Sequence, residues 1–287
     1  MPATSPATGR LAAALRFARR NKAAVAGAAV LLAIVLIALA APLLATGNPL
    51  SINPLRRLRP PSPAFWFGTD HLGRDLWNRV LYGARVSLVV GGAVAGISMS
   101  VGLVVGLVAG YVRSIDAVVM RVMDGLMAIP SILLAVALMA LTRASVTNVI
   151  VAISVAEIPR VVRLVRSLVL TLRDEVYVQA AISSGTRLPR ILLRHILPNV
   201  MGPVLVQGTY IFAAAILIEA ALSFLGAGTP SNVPSWGNTI SEGRPFFLLA
   251  AWIVIIPGMF LSATVLAVNL LGDGLRDALD PRLSRQL

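Results

Sequence analysis

Six stretches of this chain run without a charged side chain for long enough to read as helices buried in an apolar medium. Ala23–Ala45 is uncharged for 23 residues, Val86–Val112 for 27 and Gly125–Thr142 for 18. Ala144–Ala156 is uncharged for only 13, although apolar character continues past Glu157 to Val162. Ile196–Ile218 and Pro245–Gly272 add 23 and 28 more. A bilayer-crossing helix needs about 20 predominantly apolar residues, so the pattern predicts six transmembrane spans, the fourth the weakest. The fold class expected is all-α, a polytopic membrane protein.

The polar segments between these runs carry their own signals. Gly47–Phe67 holds Pro49, Pro54, Pro60, Pro61 and Pro63, which predicts extended or irregular backbone. Asp70–Arg85 reads as a short amphipathic helix with Leu72, Leu76 and Val80 on one face and Asp75 and Arg79 as an i,i+4 pair. With Trp66 and Trp77 nearby, that helix is expected at a membrane interface. Asp174 and Glu175 suit a helix N-terminus, and Gly185 suits the left-handed position that ends one. Pro189 then starts a second short helix, which Pro198 and Asn199 lead into the fifth span. The first ten residues, with Pro2, Ser5, Pro6 and Gly9, read as a disordered tail.

Composition agrees with the spans. The 287 residues are 57% hydrophobic and 13% charged, where soluble domains carry roughly 25% charged residues. Zero cysteines exclude disulfides, thiolate metal sites and a cysteine nucleophile, and two histidines, His71 and His195, leave little for a metal centre. The net charge of +13 is carried almost wholly by arginine. In a membrane protein such charge belongs beside anionic headgroups, and nucleic acid is not the expected partner. Lys22, the only lysine, stands between Asn21 and Ala23 and cannot complete a P-loop, so no ATP site of that kind lies on this chain.

Charge also orients the spans. With the N-terminus inside, 17 Arg and Lys fall on the cytoplasmic side and 8 on the outer side, which places both termini and the Gln179–Pro198 loop in the cytoplasm. Arg56, Arg57, Arg59, Arg74, Arg79 and Arg85 oppose the rule from a long outer loop. The first span also has features of a signal peptide, with Arg19, Arg20 and Lys22 ahead of it and Ala38-Leu39-Ala40 within it. Its apolar run exceeds the 7–15 residues of such a segment, which favours a retained span.

The chemistry candidates are few. On the Asp174–Ser184 helix, Val176, Tyr177, Ala180 and Ser184 form a stripe of small and apolar residues. The stripe fits close approach by another protein or an amphipathic segment resting on headgroups. Gly102, Gly106 and Gly110 repeat at four-residue spacing, which suits close helix packing within the chain or against a partner. Intramembrane acids are functional candidates by default, and Asp124, Glu157 and Glu219 qualify. Asp124 and Glu157 fall near the cytoplasmic ends of their spans, where Arg121 and Arg160 offer partners. Glu219 is a candidate for lining a translocation path or for a structural hydrogen-bond role.

Gln179-Ala180-Ala181, Gly185 and Leu197-Pro198 resemble the EAA signature of ABC importer permeases, with Gln179 in place of the glutamate. His195 followed by Ile-Leu-Pro-Asn is similar to the peptide-importer branch. Phe67-Gly68-Thr69-Asp70, Gly73-Arg74-Asp75 and Tyr82-Gly83-Ala84-Arg85-Val86-Ser87-Leu88 resemble dipeptide and oligopeptide permease C-type subunits. So do Leu222-Ser223-Phe224-Leu225-Gly226, Pro234-Ser235-Trp236-Gly237-Asn238, the segment from Asn269 to Asp277, and Asp280-Pro281-Arg282.

The resemblance implies a tail over 1–22, an extra first span over 23–45, and an outer loop with its interfacial helix over 46–85. It implies a five-span permease core over 86–272, holding a coupling loop at 163–199, and a cytoplasmic tail over 273–287. It further implies a multi-pass protein of a prokaryotic inner membrane, surrounded by lipid. The partners implied are a homologous second permease, two cytoplasmic ATPase subunits and an extracytoplasmic binding protein that delivers di- or oligopeptides. ATP and magnesium would sit on the ATPases, with no cofactor and no bond chemistry on this chain. Coupling residues carried over are Asp174, Val176, Tyr177, Gln179, Ala180, Ala181, Ser184, Gly185, Leu197 and Pro198. Nickel or another small solute is the rival substrate. An ion-gradient-driven secondary transporter is the rival class; it calls for midplane acids and duplicated halves, which this chain does not display. A passive anchor would explain the spans and leave the helix–turn–helix unexplained.

Overall fold

The computed structural model describes residues 21–279, all helix and connecting loop, with no strand among them. The helices are α1 (Lys22–Leu44), α2 (Leu76–Tyr111), α3 (Arg113–Met127), α4 (Ser131–Ala140), α5 (Val146–Leu172) and α6 (Val176–Ser183). They continue with α7 (Leu188–Phe224), α8 (Trp236–Gly243) and α9 (Trp252–Leu279). The tail read over the first residues, up to position 20, and the Asp280-Pro281-Arg282 match lie outside the described residues.

Four helices, α1, α2, α7 and α9, are long and apolar enough to cross a membrane, and the bent pair α3–α4 makes a fifth. The expected third span is therefore a broken one, its halves meeting at 87°. Pro130 causes the break: it donates no hydrogen bond, and it disfavours helical backbone at Ile129. Pro257, by contrast, sits inside the unbroken α9. The expected fourth span is α5, whose 27 residues include Glu157, Arg160, Arg163 and Arg166. At 1.5 Å per residue it is about 40 Å long, enough to cross a bilayer of about 30 Å.

The outward faces are apolar, as lipid requires. On α1, Leu32, Leu36, Leu39 and Leu43 are exposed at helical spacing, while Ala24, Gly27, Ile34, Ala38 and Ala41 are buried. Small residues let α1 lie close on α9: a Cβ added to Gly27 would stand 2.6 Å from the Ala267 carbonyl oxygen. The glycine repeat does the same between α2 and α5. A Cβ on Gly102, Gly106 or Gly110 would lie 2.5, 2.7 or 2.7 Å from the Cβ of Val161, Val165 or Val169. The seam is thus internal to this chain, and those three valines are fully buried. It also fixes α2 and α5 parallel and in register.

Two expectations change at the other end of α2. Residues 76–85 form no separate interfacial helix but the first turns of α2, which starts at Leu76 because Asp75 caps it by accepting from the Trp77 amide at 3.0 Å. Asp75 is therefore no partner for Arg79. Arg79 is fully buried and pairs with Asp70 at 3.2 Å and Glu242 at 3.0 Å. Arg74 joins the same cluster, 2.5 Å from Asp70 and in contact with Glu242. Two of the arginines that oppose the positive-inside pattern are thus neutralised inside the fold.

The preceding loop is knotted onto this cluster. Gly73 has φ +73°, and a Cβ there would stand 1.9 Å from the Asn53 carbonyl oxygen, so only glycine fits. Trp236 of α8 is fully buried and donates from Nε1 to the Val80 carbonyl at 3.1 Å. At the far end α9 continues through Leu279, so residues 273–279 are helix where a tail was expected: Gly274 packs on Ala24, and Leu279 approaches Gly202. Lys22, Leu279 and the start of α7 therefore share one end of the bundle with α6.

Candidate functional site

At that end the chain leaves α5 at Leu172, turns, and forms α6 two residues later than the acidic pair suggested. Glu175 is the N-cap by position, with no side-chain cap bond, and Asp174 is exposed. The helix ends at Gly185, whose φ is +75° as its place after the helix requires. The Thr186 amide donates to the Ala181 carbonyl at 3.1 Å, and the Gly185 amide to Ile182 at 2.9 Å, the paired bonds of a Schellman cap.

Only Val178 of α6 is buried, wedged into a core cluster with Val169, Ile191 and Ile196. Its other apolar side chains face outward. Val176 is 83% exposed, with Tyr177 and Ile182 also exposed, and Leu188 and Leu193 extend the patch across the turn. Gln179, Ala180 and Ser184 are exposed beside them, and Ala181 is half-buried.

The site is stiff where it meets the bundle. The Gln179 side-chain amide donates to the Arg173 carbonyl at 2.8 Å, tying α6 to the end of α5. On the other side Asn199 donates to the Tyr177 hydroxyl at 3.2 Å and to the His195 carbonyl at 2.8 Å, tying α6 to α7. Burial and the nearby Glu175 push the Tyr177 phenol above its ordinary range, so it stays a neutral hydroxyl. Leu197 and Pro198 follow a π turn at Ile191–Ile196. Pro198 has no amide to continue the ladder, and the wider turn before it absorbs the loss. The second arm is therefore the first turns of α7 rather than a short separate helix.

The intramembrane acids separate. Glu219 is fully buried, and its Oε1 accepts from Ser223, Ser235 and Thr229 at 3.0, 2.8 and 3.4 Å. Glu219 thus gathers the loop before α8 within this chain, while its second oxygen, Oε2, is buried without a partner among the described residues. Glu157 is also fully buried and pairs with Arg160 at 3.1 Å. It lies deeper than expected: the neighbouring Ser154 carbonyl meets Ser98 in the middle of the apolar run of α2. Asp124 is exposed and pairs with Arg163 at 2.7 Å, not with Arg121. Sequence reasoning missed Arg163 and Arg166 as partners of α3; their i,i+3 spacing along α5 was the available signal.

Comparison with known proteins supplies the context. Residues 102–285 match the family model described as the binding-protein-dependent transport system inner membrane component. Residues 10–61 match the N-terminal TM domain of oligopeptide transport permease C. The chain is 51% identical to a probable peptide ABC transporter permease protein, y4tQ, of Sinorhizobium fredii, over 95% of this chain and 93% of that one. It is 44% identical to the dipeptide transport system permease protein DppC of Alkalihalophilus pseudofirmus, over 92% of this chain and 88% of the relative. The oligopeptide transport system permease protein OppC of Bacillus subtilis is 38% identical, over 95% and 90%.

Proposed function

This chain belongs to the family of binding-protein-dependent transport system inner membrane components, and on that premise we propose how it works as the C-type permease of a peptide importer. It is a multi-pass inner membrane protein and a transport subunit. The finer reading places α6 and both ends of the chain in the cytoplasm. It pairs this chain with a homologous second permease, two ATPase subunits that bind ATP and magnesium, and an external binding protein that presents di- or oligopeptides. The names of the relatives support the peptide as substrate.

The observation that carries the coupling role is an apolar helix left uncovered yet rigidly tied to two spans. Val176, Tyr177 and Ile182 offer α6 to a partner, while the Gln179–Arg173 and Asn199–Tyr177 bonds link it to α5 and α7. A displacement of α6 by an ATPase is thereby passed to both spans, and alternating access follows if the bundle has two packings that nucleotide biases. Because the chain has no cysteine, Ser183→Cys gives a unique cross-linking site. In the assembled complex it should cross-link to an ATPase subunit, with a yield that changes between ATP-bound and nucleotide-free states. Cross-linking only to lipid, or to no ATPase in either state, would remove the coupling role.

A further inference from the structure

The elbow between α3 and α4 opens on a groove that this chain does not cover. The groove has a volume of about 500 Å³ and is lined by Met127, Arg160, Arg163, Leu164, Ser167 and Gln207. Arg160 and Arg163 are about half exposed there. Their depth follows from the register of α5 on α2: Gly102 meets Val161 and Gly106 meets Val165. Gly102 and Gly106 precede the end of α2 by five to nine residues, about 8–14 Å along the axis. The arginines therefore lie well inside the apolar run that ends at Val112.

Lipid is a poor neighbour for such a face. A centrally placed arginine costs about 2.5–3.5 kcal/mol on insertion scales. Irregular backbone at membrane depth is tolerated only where protein buries it or where it lines a water-filled cavity. Ala128, Ile129 and Pro130 are exposed at the elbow. Two independent features, a broken span and a pair of half-exposed guanidinium groups, thus turn the same face away from lipid, toward water or a partner subunit.

The pairing of the arginines then indicates a ligand. Arg166 grips Asp116 with both Nε and Nη2, a closed fork that clamps α3 to α5. Arg160 gives only Nη1 to Glu157, and Arg163 only Nη2 to Asp124. A guanidinium has five N–H donors, so most donors of both remain without a partner among the described residues. The two acids balance the two charges and hold the forks in place. A neutral groove with spare guanidinium donors suits a zwitterion, whose carboxylate takes two parallel bonds from arginine.

We propose that this groove is the inner half of the translocation path and that Arg160 and Arg163 hold the free carboxylate of a passing peptide. The ligand rests on the peptide-importer reading above; the water-filled, anion-preferring groove does not.

The complete importer in proteoliposomes tests both parts. Ser167→Cys places a single thiol in the groove of a cysteine-free chain, and labelling is read on this subunit by mass. An anionic sulfonatoethyl methanethiosulfonate should react faster than the cationic trimethylammonium reagent, because its sulfonate can accept from the spare N–H donors of Arg160 and Arg163 while a quaternary ammonium cannot. Adding Arg160→Lys, which keeps Glu157 paired but removes the fork, or Arg163→Gln should narrow that ratio. Binding protein loaded with a free-acid tripeptide, together with ATP, should slow labelling several-fold, and a C-terminally amidated tripeptide should slow it less. No labelling by either reagent, equal rates for the two reagents, or indifference to the peptide's carboxylate would each overturn the proposal. A complex that imports no peptide yet keeps the anion preference would instead overturn the proposed substrate.

Discussion

The seam between α2 and α5 makes a sharp prediction at Gly106. An alanine Cβ there would sit 2.7 Å from the Cβ of Val165 and 2.9 Å from the Val162 carbonyl oxygen. Non-bonded carbons prefer about 3.5–4.0 Å, so roughly 1 Å of overlap has to be relieved. Val165 is β-branched and fully buried, with little rotamer freedom to yield. The helices themselves must part, and overpacking of this kind costs about 1–3 kcal/mol. Alanine recovers up to about 1 kcal/mol through helix propensity, a gain that Gly96→Ala should show alone. No atom lies within 4 Å of a Cβ added to Gly96, so that variant is the matched control on the same helix. Thermal unfolding in detergent should place Gly106→Ala a few degrees below Gly96→Ala. A second alanine at Gly102 should cost less than the first, since one separation of the helices relieves both contacts. Equal midpoints for Gly106→Ala and Gly96→Ala would refute the close-contact account of this seam.

Other substitutions test other parts. Glu219→Ala removes the acceptor shared by the Ser223, Ser235 and Thr229 hydroxyls, of which Ser235 and Thr229 still bond each other; one unsatisfied buried group costs about 1–3 kcal/mol, so the unfolding midpoint should fall far more than in Glu219→Gln. Arg79→Ala leaves Arg74 as the one guanidinium against the two acids Asp70 and Glu242 and empties a fully buried site, so its yield of folded protein should fall below that of Arg85→Ala. Burial holds the His71 imidazole below its ordinary 6.5, so the unfolded chain takes up the proton first as pH falls; stability from this residue is present above that value and declines below it. Melting curves at pH 7.5 and 5.5 should therefore differ less in His71→Phe than in the parent. Gly185→Val strains the positive φ by roughly 1 kcal/mol or more, and Ala181→Glu adds charge to the exposed helix; both should insert in the membrane but bind ATPase weakly, as pull-downs would report.

What the sequence revealed was local chemistry, and what it hid was register. The cap at Gly185 was legible because glycine after a short helix has one common use. The broken third span was legible in part, since Pro130 announces a bend but not its angle. The start of α2 was misread because Leu72, Leu76 and Val80 keep helical spacing across a boundary that Asp75 sets by capping. Arg79 found partners at Asp70 and at Glu242, and the latter lies on another helix. No pattern near Arg79 points there. The depth of Glu157 and Arg160 depends on how valines of α5 meet glycines of α2, which only the packed helices fix. Some motif positions away from α6 serve packing: Gly73 and Asp70 shape the loop before α2, and Trp236 ties α8 to α2.

On the proposed function, α6 takes its motion from ATPases so that this chain passes peptides across the membrane. Reconstitution of this chain with its second permease, the ATPase subunits and the binding protein measures that claim directly, by uptake of a labelled tripeptide into proteoliposomes. Uptake should require both ATP and binding protein, and should be lost in Gly185→Val while the complex still inserts. Uptake that persists without the ATPase subunits and follows an imposed ion gradient would contradict the proposed function.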